Sequence, residues 1–248
     1  MSNIQDYNEK IGIICEIPDE KVKNPNTPVD VAIQEAETTH YWANKDRAAL
    51  TSAGLLDEII DDIPGRAGAC REAQSRWNEK YKEKKKAERE WRKKAPGAYD
   101  LRNTMLHKFR FAYRTESHLP GRVSAIVKGN GHADLFQDLN DMAVLGRTNP
   151  EPLKTIGFDM SLLDKAARVS DEMASLYSRV KGERESSNEA KLIRDKAYMH
   201  MKEAVDKVRE YGKFVFWRDK ERKERYTSTY IRNKNQKRQK AKELESKE

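Results

Sequence analysis

The sequence predicts an all-α protein, and three observations favour this class. Charged residues make up 36% of the 248 residues and hydrophobic residues only 37%, which is less apolar material than a globular domain normally contains. Glycine and proline are scarce, with 12 and 8 residues. Apolar residues recur at intervals of three and four along most of the chain, as they do in helices that each bury one narrow stripe.

The expected architecture is an elongated antiparallel helical bundle of about four long helices. Two loosely repeated helical hairpins supply these helices, and a short middle helix lies between the hairpins. The predicted segments are an N-terminal arm, a first hairpin region, a packed connector with the short helix, a second hairpin and a basic tail, at residues 1–28, 29–115, 116–160, 161–225 and 226–248.

An internal repeat motivates the two hairpins. Leu50-Thr51-Ser52-Ala53-Gly54 precedes Leu55-Leu56-Asp57, and roughly a hundred residues later the chain reads Leu153-Lys154-Thr155-Ile156-Gly157 and then Leu162-Leu163-Asp164. Near the far end of each copy stand Lys108-Phe109-Arg110-Phe111 and Lys213-Phe214-Val215-Phe216. Landmarks at nearly the same offset indicate a duplication, with chance and ordinary helical patterning as the alternative.

The first half contains several segments that usually interrupt helices. The apolar residues 11–15 predict a small strand or packed arm. Thr51 or Ser52 is expected to cap the next helix. Pro64-Gly65 predicts a break or kink, followed by a long helix over about residues 66–94. Ala95-Pro96-Gly97 then predicts a tight reversal that makes the first hairpin.

The second half is read in the same way. A short helix is expected over residues 132–145, and the second hairpin turn near Gly182 and Ser186-Ser187-Asn188. The last long helix carries an apolar stripe that alternates by four and three, formed by Ile193, Ala197, Met201, Ala204 and Val208. Residues 226–248 keep no stripe, which predicts a disordered or frayed tail.

Charge is unevenly distributed along the chain. The formal net charge is +8, yet residues 1–50 hold nine acidic and five basic residues, whereas residues 218–248 hold twelve basic and six acidic ones. This asymmetry suggests an anionic partner for the tail. No apolar run approaches the length of about 20 residues that crosses a bilayer. The two cysteines lack metal-site spacing and indicate a reducing, cytoplasmic compartment.

No convincing catalytic set is present, so we predict a protein that is not an enzyme and holds no metal or cofactor. Glu37 and His40 have the Glu-x-x-His spacing of di-iron bundles, but a second copy of the pair is missing. Asp134, Asp138 and Asp141 share a helix face, but they lack the alternate-residue spacing of a calcium loop. We expect these acids to favour a helix start or to pair with arginines. A metal-dependent bundle enzyme remains the weakest of three hypotheses.

The basic tail is the strongest functional feature of the sequence. Cations that neutralise phosphates, interleaved with aromatic rings that stack on bases, are typical of nucleic-acid contacts. The candidate residues are Arg225, Tyr226, Tyr230, Arg232, Lys234, Lys237, Arg238 and Lys240. The lysine-rich residues 80–94 form a second basic area. The leading hypothesis is a non-enzymatic scaffold that binds a protein partner or itself, and the alternative is a nucleic-acid-binding protein that uses the tail.

Overall fold

A computed structural model describes residues 2–129 and 131–245, with the side chains of 243–245 left out. Within those ranges the chain forms ten α-helices and one 3-10 turn, and no strand. The α-helices are α1 (Asn3–Glu16), α2 (Val29–Lys45), α3 (Arg47–Ser52), α4 (Asp57–Ala112), α5 (Leu119–Ile126), α6 (His132–Thr148), α7 (Pro150–Thr155), α8 (Ser161–Val215), α9 (Lys220–Arg225) and α10 (Thr229–Glu245). The prediction of an all-α helical bundle is confirmed.

The chain divides into two compact units. Unit 1 comprises Met1–Lys80 with Ser187–Glu248, and unit 2 comprises Tyr81–Ser186. The long helices α4 and α8 therefore contribute a segment to each unit. Each unit has a hydrophobic core of its own.

The core of unit 1 collects apolar residues from α2, α3, α4 and α8. Its fully buried members include Ala36, Leu50, Ile60, Ile63 and Val208. Within this unit α4 and α8 run antiparallel, as two contacts show. Arg66 donates from Nη1 to the carbonyl of His200 at 2.7 Å. Further along α4, the ring of Trp77 lies under the guanidinium group of Arg194, which comes earlier in α8, at 4.3 Å.

The core of unit 2 is built from α4, α5, α6, α7 and α8. Its fully buried members include Met105, Phe109, Leu139, Met142 and Leu153. Helix α6 comes close to its neighbours at Gly146, where a Cβ atom would lie 3.0 Å from the Phe109 ring and 2.6 Å from a Leu163 methyl group. The absence of a side chain at that position lets three helices meet.

Both predicted hairpin turns are wrong, because α4 and α8 run straight through them. Helix α4 passes through Pro96-Gly97 and α8 passes through Gly182 and Ser186-Ser187-Asn188. Near the first site Ala95 and Ala98 are buried, and near the second Ser187 is buried. Burial at or next to each of these sites stabilises the helix there, although glycine and proline lower its intrinsic stability.

The predicted break at Pro64-Gly65 is also wrong. Pro64 lies inside α4, where a missing N–H and a ring clash cost about 3 kcal/mol. Ile60 and Ile63 are completely buried on one side of it, and Ala67 on the other. Their burial outweighs that local cost.

The predicted cap of the next helix by Thr51 or Ser52 is also wrong. The hydroxyl groups of these two residues donate to carbonyl groups of the preceding turn of α3 and do not cap α4.

The structure contains a repeated series of helices. Helices α2, α3 and α4 have 17, 6 and 56 residues, and α6, α7 and α8 have 17, 6 and 55. After each six-residue helix a glycine has positive φ, 99° at Gly54 and 65° at Gly157. The Leu50 carbonyl accepts from the N–H of Leu55, and the Leu153 carbonyl accepts from that of Phe158.

This geometry corrects the register of the sequence repeat. Leu55 corresponds to Phe158, both buried, and not to Leu162. The far landmark is shifted as well, since Phe109 is buried whereas Phe214 is exposed. Unit 1 combines α2, α3 and the start of α4 with the end of α8, and unit 2 combines α6, α7 and the start of α8 with the end of α4. Each core therefore draws on both copies.

Both ends of the chain contain helices that the sequence analysis missed. Residues 11–15, predicted as a strand or arm, lie in α1, which Ser2 caps with Gln5 in a reciprocal capping box. Helix α1 lies close to α4 at Gly68, where a Cβ atom would overlap the Asp6 carboxylate. The tail, predicted as disordered or frayed, forms α10 up to Glu245. Residues 246–248 lie outside the described part of the chain.

Candidate nucleic-acid interface

The C-terminal segment after α8 is fixed to unit 1 by Tyr226. This side chain is fully buried, and its ring lies against the backbone of Gly212, where a Cβ atom would overlap the ring carbons. The ring stacks on Phe216 at 5.7 Å between centroids, and the hydroxyl donates to Oδ2 of Asp46 at 2.8 Å. Burial, and then the bond to the Asp46 carboxylate, raise the pKa of Tyr226 well above its ordinary value.

Arg222 strengthens the same attachment. Its Nη2 atom lies 2.5 Å from Oδ1 of Asp46, and its guanidinium group stacks over the Phe216 ring at 3.7 Å. Both oxygens of the buried Asp46 carboxylate are therefore bound by residues of the C-terminal segment. A buried carboxylate is stable only when it is paired and hydrogen-bonded in this way.

Glu35 of α2 holds the first turn of α10. It accepts hydrogen bonds from the Tyr230 N–H at 2.9 Å, the Ser228 hydroxyl at 3.1 Å and Arg209 at 3.0 Å. Burial alone raises the pKa of Glu35, but these bonds outweigh it, and the pKa lies below its ordinary value. The carboxylate satisfies one of the free N–H groups at the helix start.

Beyond this anchor α10 is exposed to solvent. Every residue over 232–242 is exposed. Arg232 pairs with Glu224 at 3.1 Å, and the Lys234 ammonium lies 6.0 Å from the Tyr230 ring centre. Among the side chains that the structure describes, which end at Lys242, no acidic group pairs with Lys237, Arg238 or Lys240. The exposed part of α10 over residues 232–242 carries six cationic residues and no acidic residue.

The structure separates the predicted site residues into three groups. The prediction that Tyr226 contacts nucleic acid is wrong, because the ring is fully buried and has no face free to stack on a base. Arg225 stacks over Trp42 at 4.2 Å and pairs with Glu221, and Tyr230 is half-buried and has its N–H bound by Glu35, so both lie next to the attachment. The exposed cations are Arg232, Lys234, Lys237, Arg238 and Lys240.

Two open clefts flank α10 within unit 1. The cleft between α8 and α10 has a volume of about 800 Å³ and is lined by Arg209, Lys213, Arg232, Asn235, Gln236 and Gln239, together with acidic residues. The cleft between α2 and α10 has about 510 Å³ and includes Trp42 and Tyr230. Such grooves offer amide and guanidinium donors and acceptors beside the cationic helix.

The sequence analysis missed two aromatic residues at the end of α8. Phe214 is 70% exposed and Trp217 is 62% exposed. The Arg218 guanidinium lies over the Trp217 ring, 4.4 Å from its centre. Phe214 had served only as a landmark of the internal repeat, and Trp217 lies in the turn after α8, so no helical spacing in the sequence marked the two rings as exposed.

The other candidate residues have structural partners. Glu37 pairs with Arg71 at 2.6 Å, whereas His40 bonds to Asn44, so the two are not held together. Asp138 is buried against Arg102 at 2.5 Å; burial raises the pKa of this carboxyl despite the arginine. Asp134 accepts from the Gly131 N–H, and Asp141 from Gln137.

Neither the thiols nor the acidic clusters form a second site. Cys15 is exposed and Cys70 is buried, and both are free. Burial raises the pKa of the Cys70 thiol to about 12, which suppresses its nucleophilic thiolate form. Among the side chains of residues 2–129 and 131–242, no group of three histidine, cysteine or acidic side chains is arranged to hold a metal ion.

Comparisons with known proteins give no relative. No protein-family model matches the chain, and no curated protein or solved structure matches it either. Among the described helices, none combines the length and the apolar character needed to cross a membrane.

Proposed function

We propose that this protein is a non-enzymatic binding protein that holds nucleic acid on helix α10. The observation that carries the proposal is the exposed cationic surface over residues 232–242, on a helix fixed at its start by Glu35. The long helices α4 and α8 act as the scaffold that presents it. The free cysteines suit a reducing compartment, so the proposed location is the cytoplasm.

Ordering of the helix supports binding to a polyanion. A disordered basic tail loses conformational freedom when it binds, which weakens affinity. Here the attachment at Tyr226 and Asp46 already fixes the segment before a ligand arrives. On the side that precedes α10, the nearest acidic side chains are engaged in pairs, since Glu221 pairs with Arg225 and Glu224 with Arg232.

Nucleic acid fits the chemistry of this surface. Lysine and arginine that neutralise phosphates release condensed counterions, so binding weakens steeply as salt is added. The cations of α10 point in several directions around the helix axis, because they are separated by one to three residues. This arrangement suits contacts with backbone phosphates rather than the reading of a specific base sequence.

Neutralising the end of α10 tests the proposal. The variant replaces Lys237, Arg238, Lys240 and Lys242 by glutamine, which preserves helix propensity. We expect the affinity for a labelled DNA oligonucleotide to fall roughly tenfold at moderate salt, and the slope of log affinity against log salt to flatten by about 0.7 to 0.9 for each lost phosphate contact. Fluorescence anisotropy at several salt concentrations measures both quantities.

A matched control removes the same charge elsewhere. Lys82, Lys86, Arg89 and Lys93 are exposed cations on the part of α4 that belongs to unit 2. Their replacement by glutamine is expected to leave affinity and salt slope nearly unchanged. Equal losses in both variants would contradict a specific role for α10, and the absence of salt-sensitive binding by the unaltered protein would remove the proposed function.

A further inference from the structure

The two exposed rings at the end of α8 lie in an aromatic segment whose central member is buried. Phe216 is only 6% exposed and is covered by Tyr226 and Arg222. Phe214 and Trp217, on either side of it in sequence, are 70% and 62% exposed. Leaving large rings in water sacrifices the stabilisation that burial would give, so two exposed rings this close in the chain suggest a ligand.

One cation lies against a ring of this aromatic pair, and another precedes the pair in sequence. Arg218 stacks over Trp217, and Lys213 precedes Phe214 in sequence. Lys213 also lines the cleft between α8 and α10 together with Arg232 and Gln239. Phe214 is therefore the next residue in the chain after Lys213, which lines the cleft between α8 and α10.

We propose that Phe214 and Trp217 form a base-stacking platform, which gives this protein a preference for single-stranded over double-stranded nucleic acid. The inference rests on the proposed function and adds that the bound nucleic acid is single-stranded. In a single strand the base faces are free to stack on aromatic side chains, and such stacking tolerates any base sequence. In a duplex the base faces are already covered by neighbouring bases.

A lipid surface fits the same rings less well. A helix that lies in a membrane interface has a broad apolar face over several turns. At the end of α8 the apolar exposure consists of two rings, and Glu210 and Asp219 are close to them in sequence. Phosphates and bases together match a segment in which Lys213 and Arg218 flank the aromatic residues.

The test replaces both Phe214 and Trp217 by alanine and compares an oligothymidylate of about 20 nucleotides with a duplex of equal length. We expect affinity for the single strand to fall about tenfold, affinity for the duplex to change less than about twofold, and the salt slope for the single strand to stay the same, because stacking releases no counterions. Both side chains are exposed, so the fold should tolerate the change.

Phe111 provides the matched control. It is 52% exposed in unit 2 and carries the Arg114 guanidinium over its ring at 3.9 Å. Phe111→Ala is expected to leave both affinities unchanged. A second readout uses Trp217→Phe, which keeps an aromatic face. It should retain most of the single-strand affinity and reduce the tryptophan fluorescence quenching that we expect oligothymidylate to cause in the unaltered protein.

Each contrary outcome has a distinct meaning. If the double variant binds the single strand as tightly as the unaltered protein, while the α10 variant binds both forms weakly, the platform is overturned and the proposed function stands. Equal losses on single strand and duplex also overturn the platform. Binding to anionic phospholipid vesicles that disappears in the double variant would identify the rings as a membrane contact and overturn it.

Discussion

Replacing Gly212 by alanine is expected to destabilise unit 1 by about 3 kcal/mol and to release α9 and α10. The Cβ atom of alanine would overlap the ring of Tyr226, which is fully buried between Phe216 and the backbone of α8. The ring cannot stay in place, and its departure also breaks the bond to Asp46. Urea unfolding measures the loss, and amide hydrogen exchange over residues 219–245 measures the release.

Gly182→Ala is the matched control on the same helix. A Cβ atom added at Gly182 would meet no other atom within 4 Å, so the substitution should raise stability by up to about 1 kcal/mol through helix propensity. If Gly212→Ala were as stable as this control, with hydrogen exchange over α9 and α10 still slow, the attachment through Tyr226 would be refuted. The released helix should also bind nucleic acid more weakly, because its start is no longer fixed.

Lowering the pH from about 6.5 to 4 is expected to cost about 3 kcal/mol of stability through His200. This residue is 7% exposed, and no described residue bonds its Nε2 atom. Burial, and then the positive charge of Arg66, lower its pKa to about 4, with Lys10 acting in the same direction and Asp62 and Glu203 opposing.

The direction of the effect follows from the two pKa values. In the unfolded chain the histidine takes up its proton near pH 6.5, whereas in the folded protein, where its pKa is about 4, it does so only near that pH. The unfolded state therefore binds more protons between these values. The stabilisation is complete above pH 6.5 and disappears progressively as the pH falls to about 4.

His200→Leu isolates this contribution. The variant should lose less stability than the unaltered protein between pH 6.5 and 4. Urea unfolding at several pH values measures the free energy of unfolding, and its slope against pH is compared between the two proteins. His107→Gln, at an exposed position of α4, should leave the slope unchanged. Asp62, whose pKa is lowered by Lys10 and Arg66 despite its burial, loses its stabilisation below this window. An identical slope in His200→Leu and the unaltered protein would disprove the assignment.

Much of the fold followed from local periodicity. The stripe of Ala197, Met201, Ala204 and Val208 in α8 is buried as its spacing predicted. The short middle helix was predicted over residues 132–145 and extends over His132–Thr148. These successes share a cause, since a narrow stripe at helical spacing is buried in almost any all-α arrangement.

The errors occurred where packing between distant parts of the chain overrides local preference. Pro64, Pro96 and Gly182 break isolated helices, yet α4 and α8 continue through all three. The partners that stabilise them lie far away in sequence, as in the pairs Arg66 with the His200 carbonyl and Lys94 with Glu172. No window of sequence contains both members of such a pair.

The candidate site shows the same division. Sequence alone identified the cations Lys234, Lys237, Arg238 and Lys240, because charge density can be read residue by residue. It could not distinguish the buried ring of Tyr226 from the exposed ring of Trp217, since both stand among arginines and acidic residues. The distinction depends on Gly212 and Asp46, which approach Tyr226 only in the folded chain.

The amino-acid sequence by itself determined the all-α class, the apolar stripes and the basic C-terminus, because each depends on residues within a few turns of one another. It also determined the repeated Leu50 and Leu153 segments, because their likeness is visible in the residues themselves. Only the tertiary structure decided that the long helices stay unbroken, that each core combines both copies, and that the tail is an ordered helix. Burial against distant side chains contributes several kcal/mol, more than the local cost of a proline or glycine.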